Sequence, residues 1–147
     1  MDGIGCRPGQ RIGKRNRKGL LGSYYSIADY RSINPEFGTA ADFKAVVADA
    51  HRLGMKVMID WVPNHTSFDH LWVAPHPDWY VHRADGAISS AVSESGVEND
   101  WTAVAQLNYD NQDMRRALIA DLRWGATTMA VAALVPHTRP RLTPHSM

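Results

Sequence analysis

The stretch from Thr39 to Val62 constrains the fold more than any other part of the chain, because a helix pattern runs directly into a strand pattern. Thr39 and Asp42 form a variant of the capping box, and apolar residues then recur at helical spacing up to Leu53. Residues 55–62 are a nearly continuous apolar run, which predicts a strand buried on both faces. A helix followed by a buried strand is typical of a parallel α/β sheet.

The segment that follows the strand, from Pro63 to about Tyr109, shows neither helical nor strand periodicity. A loop of this length is rare in a compact domain and is usually functional. A second helix is predicted next, since Asp110 and Asp113 can cap it and an apolar stripe follows at Met114, Ala117, Leu118 and Leu122. The predicted order is therefore helix, strand, long excursion, helix.

Composition places the chain among soluble single domains. It has 147 residues, of which 44% are hydrophobic, and a formal net charge of +1. The longest apolar run, Met129–Val135, is far shorter than the roughly 20 residues that cross a bilayer, so we expect no membrane partner. Residues 1–7 lack the apolar stretch of a secretory signal, which makes the cytoplasm the default expectation. A single cysteine, Cys6, excludes an internal disulfide.

The positive charge is concentrated at the start of the chain, where residues 1–18 hold six basic residues and one acidic residue. Residues 1–22, rich in Gly, Arg and Lys with almost no apolar periodicity, are predicted to be a loop or a disordered arm. A nucleic-acid-binding module at residues 11–18 is an alternative, since clustered positive charge attracts phosphate. No aromatic residue stands among these charges to stack on bases, so we expect no nucleic-acid partner.

Candidate functional residues stand where the predicted strand ends. Asp60, Asn64 and His65 all lie at this point. The carboxyl ends of strands in parallel α/β folds are where ligands bind. The Asn64 carbonyl suits a hard cation such as calcium, and His65 suits a sugar hydroxyl or acid/base chemistry. Simple turn and capping roles fit these three residues equally well.

Three segments together resemble the α-amylase family of glycoside hydrolases, within a stretch from about Gly13 to Trp124. They are Gly22–Tyr30 (GSYYSIADY), Asn34–Thr39 (NPEFGT) and His51–Thr66 (HRLGMKVMIDWVPNHT). The last contains the pattern Asp-x-x-x-Asn-His after a Gly-Met-Lys-Val strand, which is similar to that family's first signature region.

The resemblance implies an α/β chain that forms part of a TIM (β/α)8 barrel, from about the second strand to the third helix. Residues 39–53 would be the second helix and residues 55–61 the third strand. Residues 62–111 would be the inserted domain B, and residues 112–124 the third helix. The partial barrel would then occupy residues 13–124.

The resemblance also implies site residues. Tyr25 matches a tyrosine that stacks on the substrate sugar, His65 a histidine that hydrogen-bonds it, and Asp60 an aspartate that organises the site. Calcium is the implied cofactor, with Asn64 and Asn108 as its ligands. Gln106 departs from the aspartate that the family usually has two residues before Asn108.

The implied activity is hydrolysis of α-1,4-glucans such as starch and maltodextrins, with an α-glucan oligosaccharide as the binding partner. Retaining hydrolysis needs two carboxylates about 5 Å apart. After Trp124, where the family carries its nucleophile, this sequence has no acidic residue. We therefore assign no catalytic residue and predict that the isolated chain is inactive. A non-catalytic sugar-binding remnant is the alternative.

The two ends fit no element of the family. Residues 1–12 are predicted to be an irregular, non-native head, and residues 125–147 an aberrant tail rich in Ala, Pro, Arg and His. A gene read out of frame would give such a tail. The alternative is a real strand at residues 126–135 with natural loss of the catalytic carboxylate.

Overall fold

The computed structural model describes residues 2–17, 19–20, 22–93, 97, 100–131 and 133–136. Its strands are β1 (Gly3–Cys6), β2 (Gln10–Ile12), β3 (Ile27–Ile33), β4 (Lys56–Trp61), β5 (His65–Ser67), β6 (Val104–Gln106) and β7 (Ala133–Pro136). Its α-helices are α1 (Ala40–Arg52) and α2 (Gln112–Thr128), and short 3-10 turns lie at Pro35–Phe37 and Pro77–Trp79.

A parallel sheet in the order β1-β4-β7 organises the chain. Gly3 pairs with Lys56 in β4, and Met58 of β4 pairs with Ala133. Helix α1 lies in sequence between β1 and β4, and α2 lies between β4 and β7. The predicted parallel α/β class is confirmed, and the described strands form an open sheet instead of a closed barrel.

Strand β4 is buried on one face only. Val57, Ile59 and Trp61 are buried, whereas Lys56 is exposed and Met58 is 36% exposed. The prediction of burial on both faces is wrong, because α1 packs against the side that carries Val57 and Ile59. The opposite face of this strand carries partly accessible apolar surface.

Helix α1 forms where the sequence predicts it. The Thr39 hydroxyl accepts a hydrogen bond from the Asp42 N–H, and the Asp42 carboxylate accepts one from the Thr39 N–H. These bonds satisfy two donors at the helix start. The Thr39 hydroxyl also donates to the Asp42 carboxylate at 2.7 Å, and this bond, together with the one from the Thr39 N–H, lowers the pKa of Asp42. Gly54 follows the helix with a φ of 77°, a conformation that glycine adopts without strain.

The head of the chain is folded, which corrects the prediction that residues 1–12 are irregular. Strand β1 pairs in parallel with β4, and β2 pairs antiparallel with β3. The Lys14 and Arg15 backbone N–H groups both donate to the Asp69 carboxylate. A Cβ at Gly13 would collide with Ser67, so glycine permits this close approach. The predicted loop or disordered arm over residues 1–22 is therefore wrong for β1 and β2, whereas the described residues from Gly13 to Gly22 form neither helix nor strand, as a loop does. Lys18 lies outside the described residues.

The tail also differs from its prediction. Helix α2 continues past Trp124 and Gly125 to Thr128, and β7 pairs with β4. The alternative of a strand at 126–135 agrees only with residues 133–135, because residues 126–128 are helical. Asn111, and not Asp110, caps α2 by accepting from the Asp113 and Met114 N–H groups. Residues 137–147 lie outside the described part of the chain.

The excursion between β4 and α2 contains its own small sheet. Strands β5 and β6 pair antiparallel, with His65 opposite Gln106. A buried cluster joins this sheet to β3, β4 and α2, and at its centre Tyr30 stacks on Trp61 with 4.7 Å between ring centroids. Among the described residues, neither helix combines the length and the apolar character that crossing a bilayer requires.

Removal of the α1 cap should destabilise the fold. Thr39→Ala removes the side-chain acceptor of the capping box and should lower the free energy of unfolding by about 1 kcal/mol in a urea titration. Thr127→Ala is the matched control, since its exposed hydroxyl bonds to carbonyls of its own helix. A Thr39→Ala loss no larger than that of the control would contradict the capping role.

Burial of His70 should make stability depend on pH. Its ring is 3% exposed and lies against Tyr30 and Trp72. Burial lowers its pKa to about 3, although the charge of Asp69 opposes the shift. The unfolded chain therefore takes up this proton first as pH falls below about 6.5, and the free energy of unfolding falls with it.

The expected slope is at most about 1.4 kcal/mol per pH unit between pH 6.5 and pH 5, measured by urea titration at each pH. His70→Gln should give a shallower slope than the unaltered chain. His82→Gln, at an exposed position, should keep the original slope. If His70→Gln has the same slope as the unaltered chain, a group other than His70 determines how stability depends on pH in this range.

Candidate functional site

The carboxyl end of β4 brings together two of the residues that the sequence predicts. The Tyr25 hydroxyl donates to Asp60 Oδ2 at 3.1 Å, and both residues are partly buried. Burial, then the hydrogen bond and the charge of Asp60, raise the pKa of Tyr25. Tyr25 is therefore the protonated donor at neutral pH. Asp60 fixes the position of an aromatic ring at the ligand-binding end of the strand.

The chain leaves β4 through residues 62–66, all of which are buried. Their polar backbone groups need partners from other segments. The Tyr30 hydroxyl donates to the Val62 carbonyl at 2.7 Å, and the Tyr109 hydroxyl donates to the Pro63 carbonyl at 2.6 Å. Two tyrosines from distant parts of the sequence thus hold the first turn of this exit.

A third tyrosine holds the end of the same segment, where the Tyr80 hydroxyl and Thr66 Oγ1 lie 3.0 Å apart. Burial raises the pKa of Tyr30, Tyr80 and Tyr109 above its ordinary value. All three hydroxyls keep their protons at physiological pH. The exit from β4 is therefore held by hydrogen bonds that do not titrate there.

Asn64 and His65 lie in the middle of this exit, next to Gln106 of β6. Gln106 Nε2 donates to the Asn64 carbonyl at 3.0 Å and to Asn64 Oδ1 at 3.2 Å. Asn64 Nδ2 donates back to Gln106 Oε1 at 3.3 Å and lies 3.3 Å from His65 Nδ1. The two amides form a reciprocal pair that joins the end of β4 to the excursion.

His65 is more enclosed than the sequence prediction implies. It is 2% exposed, and its ring meets Trp101 edge-on with 5.8 Å between centroids. Trp101 itself is 43% exposed. The structure therefore places His65 beneath an aromatic side chain that is partly at the surface.

The residues implied as calcium ligands do not fit a calcium site. Asn64 Oδ1 accepts from the Gln106 amide. Asn108 Oδ1 accepts from the Asp110 N–H, and its amide nitrogen donates to the Asp78 carbonyl. No three His, Cys, Asp or Glu residues in the described ranges are grouped so that they could hold a metal. Calcium usually needs several oxygen ligands with carboxylates among them.

A cleft of about 400 Å³ opens beside the Asn108 turn. Its lining includes Asp78, Tyr80, Gln106 and Asp110. Tyr25, Asp60 and His65 do not line this cleft. The size of the cleft therefore does not make it the candidate sugar site. The hydrogen-bonded residues at the end of β4 are the stronger candidate.

The sequence did not predict that Gln106 and the three buried tyrosines form hydrogen bonds to the segment that leaves β4. Gln106 stood out only as a departure from an expected aspartate. The available signal for the tyrosines was their type, since a buried tyrosine hydroxyl normally finds a hydrogen-bond partner. Their partners lie 14 to 46 residues away, and local sequence does not reveal them.

Several known proteins are similar to this chain. The family model for the alpha-amylase catalytic domain matches residues 21–124. The chain is 33% identical to the alpha-1,4-glucan:maltose-1-phosphate maltosyltransferase of Arcanobacterium haemolyticum, over 95% of this chain and 22% of that protein.

Two solved structures are also similar. An alpha-amylase from Lactobacillus plantarum has a TM-score of 0.77 and 46% identity, covering 84% of this chain and 28% of that one. A noncanonic maltogenic alpha-amylase from Thermotoga neapolitana has a TM-score of 0.85 and 29% identity, covering 97% of this chain and 32% of that one. The chain thus spans about a third or less of the proteins it matches.

These relatives imply a TIM barrel, of which the described residues form a few strands and two helices. Proteins similar to this chain include both glycoside hydrolases and glycosyl transferases. The chain belongs to the α-amylase family.

Proposed function

We propose that this chain supplies the sugar-contacting part of an α-amylase-type enzyme that hydrolyses α-1,4-linked glucans by the retaining mechanism. The observation that carries the proposal is the Tyr25–Asp60 hydrogen bond at the carboxyl end of β4. This is the end of a strand at which barrel enzymes bind their substrates. The similarity to two α-amylases and to an α-1,4-glucan maltosyltransferase supports the substrate class.

The proposal gives each element a place in the barrel. Helix α1 is the second helix, β4 the third strand, residues 62–111 domain B, and α2 the third helix. The antiparallel pairing of β5 and β6 supports a separate small domain in the excursion. Other barrel strands would supply the nucleophile and the acid/base carboxylate, about 5 Å apart.

The roles of the site residues follow from their contacts. Tyr25 offers its ring face to the sugar, and Asp60 holds that ring by its hydroxyl. His65 supplies a hydrogen bond to the sugar. Because His65 is buried, a sugar reaches its ring only when a covering side chain such as Trp101 moves aside.

Binding of maltotriose by the full chain tests the sugar-contacting role. Tyr25→Ala should weaken binding by about tenfold, because it removes the stacking surface. Tyr24→Ala is the control, since the Tyr24 ring packs instead against Phe37. Equal loss of maltotriose binding in the two variants would contradict the sugar-contacting role.

NMR titration with maltotriose and with isomaltotriose tests which glucan linkage the chain prefers. Tighter binding of isomaltotriose would contradict the proposed α-1,4 linkage.

The purified chain by itself should release no reducing sugar from maltodextrin, because no catalytic carboxylate is assigned to it. A reducing-sugar assay on highly purified chain measures this directly. Release that persists through purification, and that disappears with Asp60→Asn, would show that the chain carries its own catalytic groups.

Hydrolysis is tested by placing residues 22–124 in the α-amylase of Lactobacillus plantarum, in place of its matching segment. The chimera should hydrolyse starch, and Asp60→Ala should lower kcat/KM by about 100-fold because the Tyr25 hydroxyl loses its acceptor. Asp49→Ala, at an exposed position on α1, should leave kcat/KM unchanged. An inactive chimera from a chain that still binds maltotriose would favour the sugar-binding remnant.

A further inference from the structure

Three oxygen atoms converge on one nitrogen where the excursion meets the end of β4. Gln106 Nε2 lies 3.0 Å from the Asn64 carbonyl oxygen, 3.2 Å from Asn64 Oδ1 and 3.3 Å from the Leu107 carbonyl oxygen. Gln106 is 1% exposed and Leu107 is 2% exposed, so this cluster is buried beneath the wall of the cleft that both residues line. Carbonyl and amide oxygens gathered in this way are what a hard cation such as Ca²⁺ prefers.

The orientation of the Gln106 amide follows from an unambiguous donor. The Val92 backbone N–H donates to Gln106 Oε1 at 3.0 Å, and a backbone N–H is never an acceptor. The carbonyl end of the Gln106 amide therefore faces Val92, and its NH₂ end faces the three oxygens. The hydrogen bond from Val92 thus decides which end of the Gln106 amide is Oε1 and which is Nε2.

We propose that the Gln106 amide takes the position of a cation and makes this junction independent of metal. The N···O distances of 3.0–3.3 Å are those of hydrogen bonds, whereas Ca²⁺ holds oxygen at about 2.3–2.6 Å. A neutral NH₂ group shares its two N–H donors among these three oxygens, the Asn64 carbonyl also accepts from the Leu107 N–H, and no buried charge is needed. This inference concerns the junction and does not depend on the proposed substrate.

The same amide also positions His65. Because Gln106 Oε1 accepts from Asn64 Nδ2, the Asn64 amide turns its NH₂ group toward His65 Nδ1. His65 Nδ1 must then be the acceptor, and the neutral ring carries its proton on Nε2. Gln106 is therefore a positioning residue that sets the tautomer of His65 through Asn64.

Thermal unfolding of the full chain in EDTA and in millimolar CaCl₂ is the first test. The melting temperature should be the same in both, because the amide already satisfies the oxygen cluster. A calcium-dependent rise in the melting temperature of the unaltered chain would overturn the proposal.

Gln106→Glu is the second test, since it keeps the shape and replaces the NH₂ donor by a carboxylate oxygen. In EDTA this oxygen would face three acceptors, and the melting temperature should fall by about 5 °C or more. CaCl₂ should restore much of the loss, because the carboxylate completes a cation site. Gln112→Glu, at an exposed position on α2, is the matched control and should not respond to calcium. A Gln106→Glu chain with the same melting temperature in EDTA and CaCl₂ would contradict the proposal.

The third test is the tautomer of His65, which a change in stability alone does not alter. ¹⁵N NMR at alkaline pH should show a single tautomer with Nδ1 unprotonated, with or without calcium. Gln106→Met frees Asn64 to turn its oxygen toward Nδ1, so a population with Nδ1 protonated should appear. A protonated Nδ1 in the unaltered chain, or an unchanged tautomer in Gln106→Met, would refute the positioning role. Maltotriose binding, measured separately, shows whether the proposed function stands in either case.

Discussion

The burial of residues 62–66 is the constraint on which the rest of the structure depends. Where a strand runs from a sheet into a buried turn, the backbone polar groups of the turn are removed from water, and leaving them without hydrogen-bond partners costs free energy. Here the partners come from β3, the excursion, β6 and the turn before α2. Each of these segments is therefore hydrogen-bonded to the segment that leaves β4, and together they hold the ligand-binding end of the sheet in place.

The elements that sequence reasoning found are those whose signals are local. Helix α1 has its cap, its apolar spacing and its terminal glycine within sixteen residues, and the structure confirms its bounds within one residue. Strand β4 was found because a continuous apolar run is itself a local signal. Tyr25 and Asp60 were each named by resemblance to a family pattern; they lie 35 positions apart, and no local pattern predicts their contact.

The elements that sequence reasoning missed depend on partners that are distant along the chain. Strand β1, Gly-Ile-Gly-Cys, has no strand signal of its own and forms through backbone pairing to β4, more than fifty residues away. The end of α2 was misplaced because the residues from Gly125 to Thr128 are weak helix signals that tertiary packing overrides. Gln106 was visible as a departure, but its meaning required knowing that Asn64 lies opposite.

A neutral amide and a metal ion can both serve as the partner of the buried oxygen atoms at this junction, but they differ in how they respond to pH and to free metal. A carboxylate with a bound cation responds to pH and to free metal, because protonation of the carboxylate releases the ion. The Asn64–Gln106 pair contains no titratable group, and the three tyrosines around it keep their protons because burial raises each pKa. With its NH₂ group turned toward His65 Nδ1, Asn64 fixes which ring nitrogen accepts a hydrogen bond. The amide pair thus holds the His65 ring in one orientation, which a cation in the same place would do only while it stayed bound.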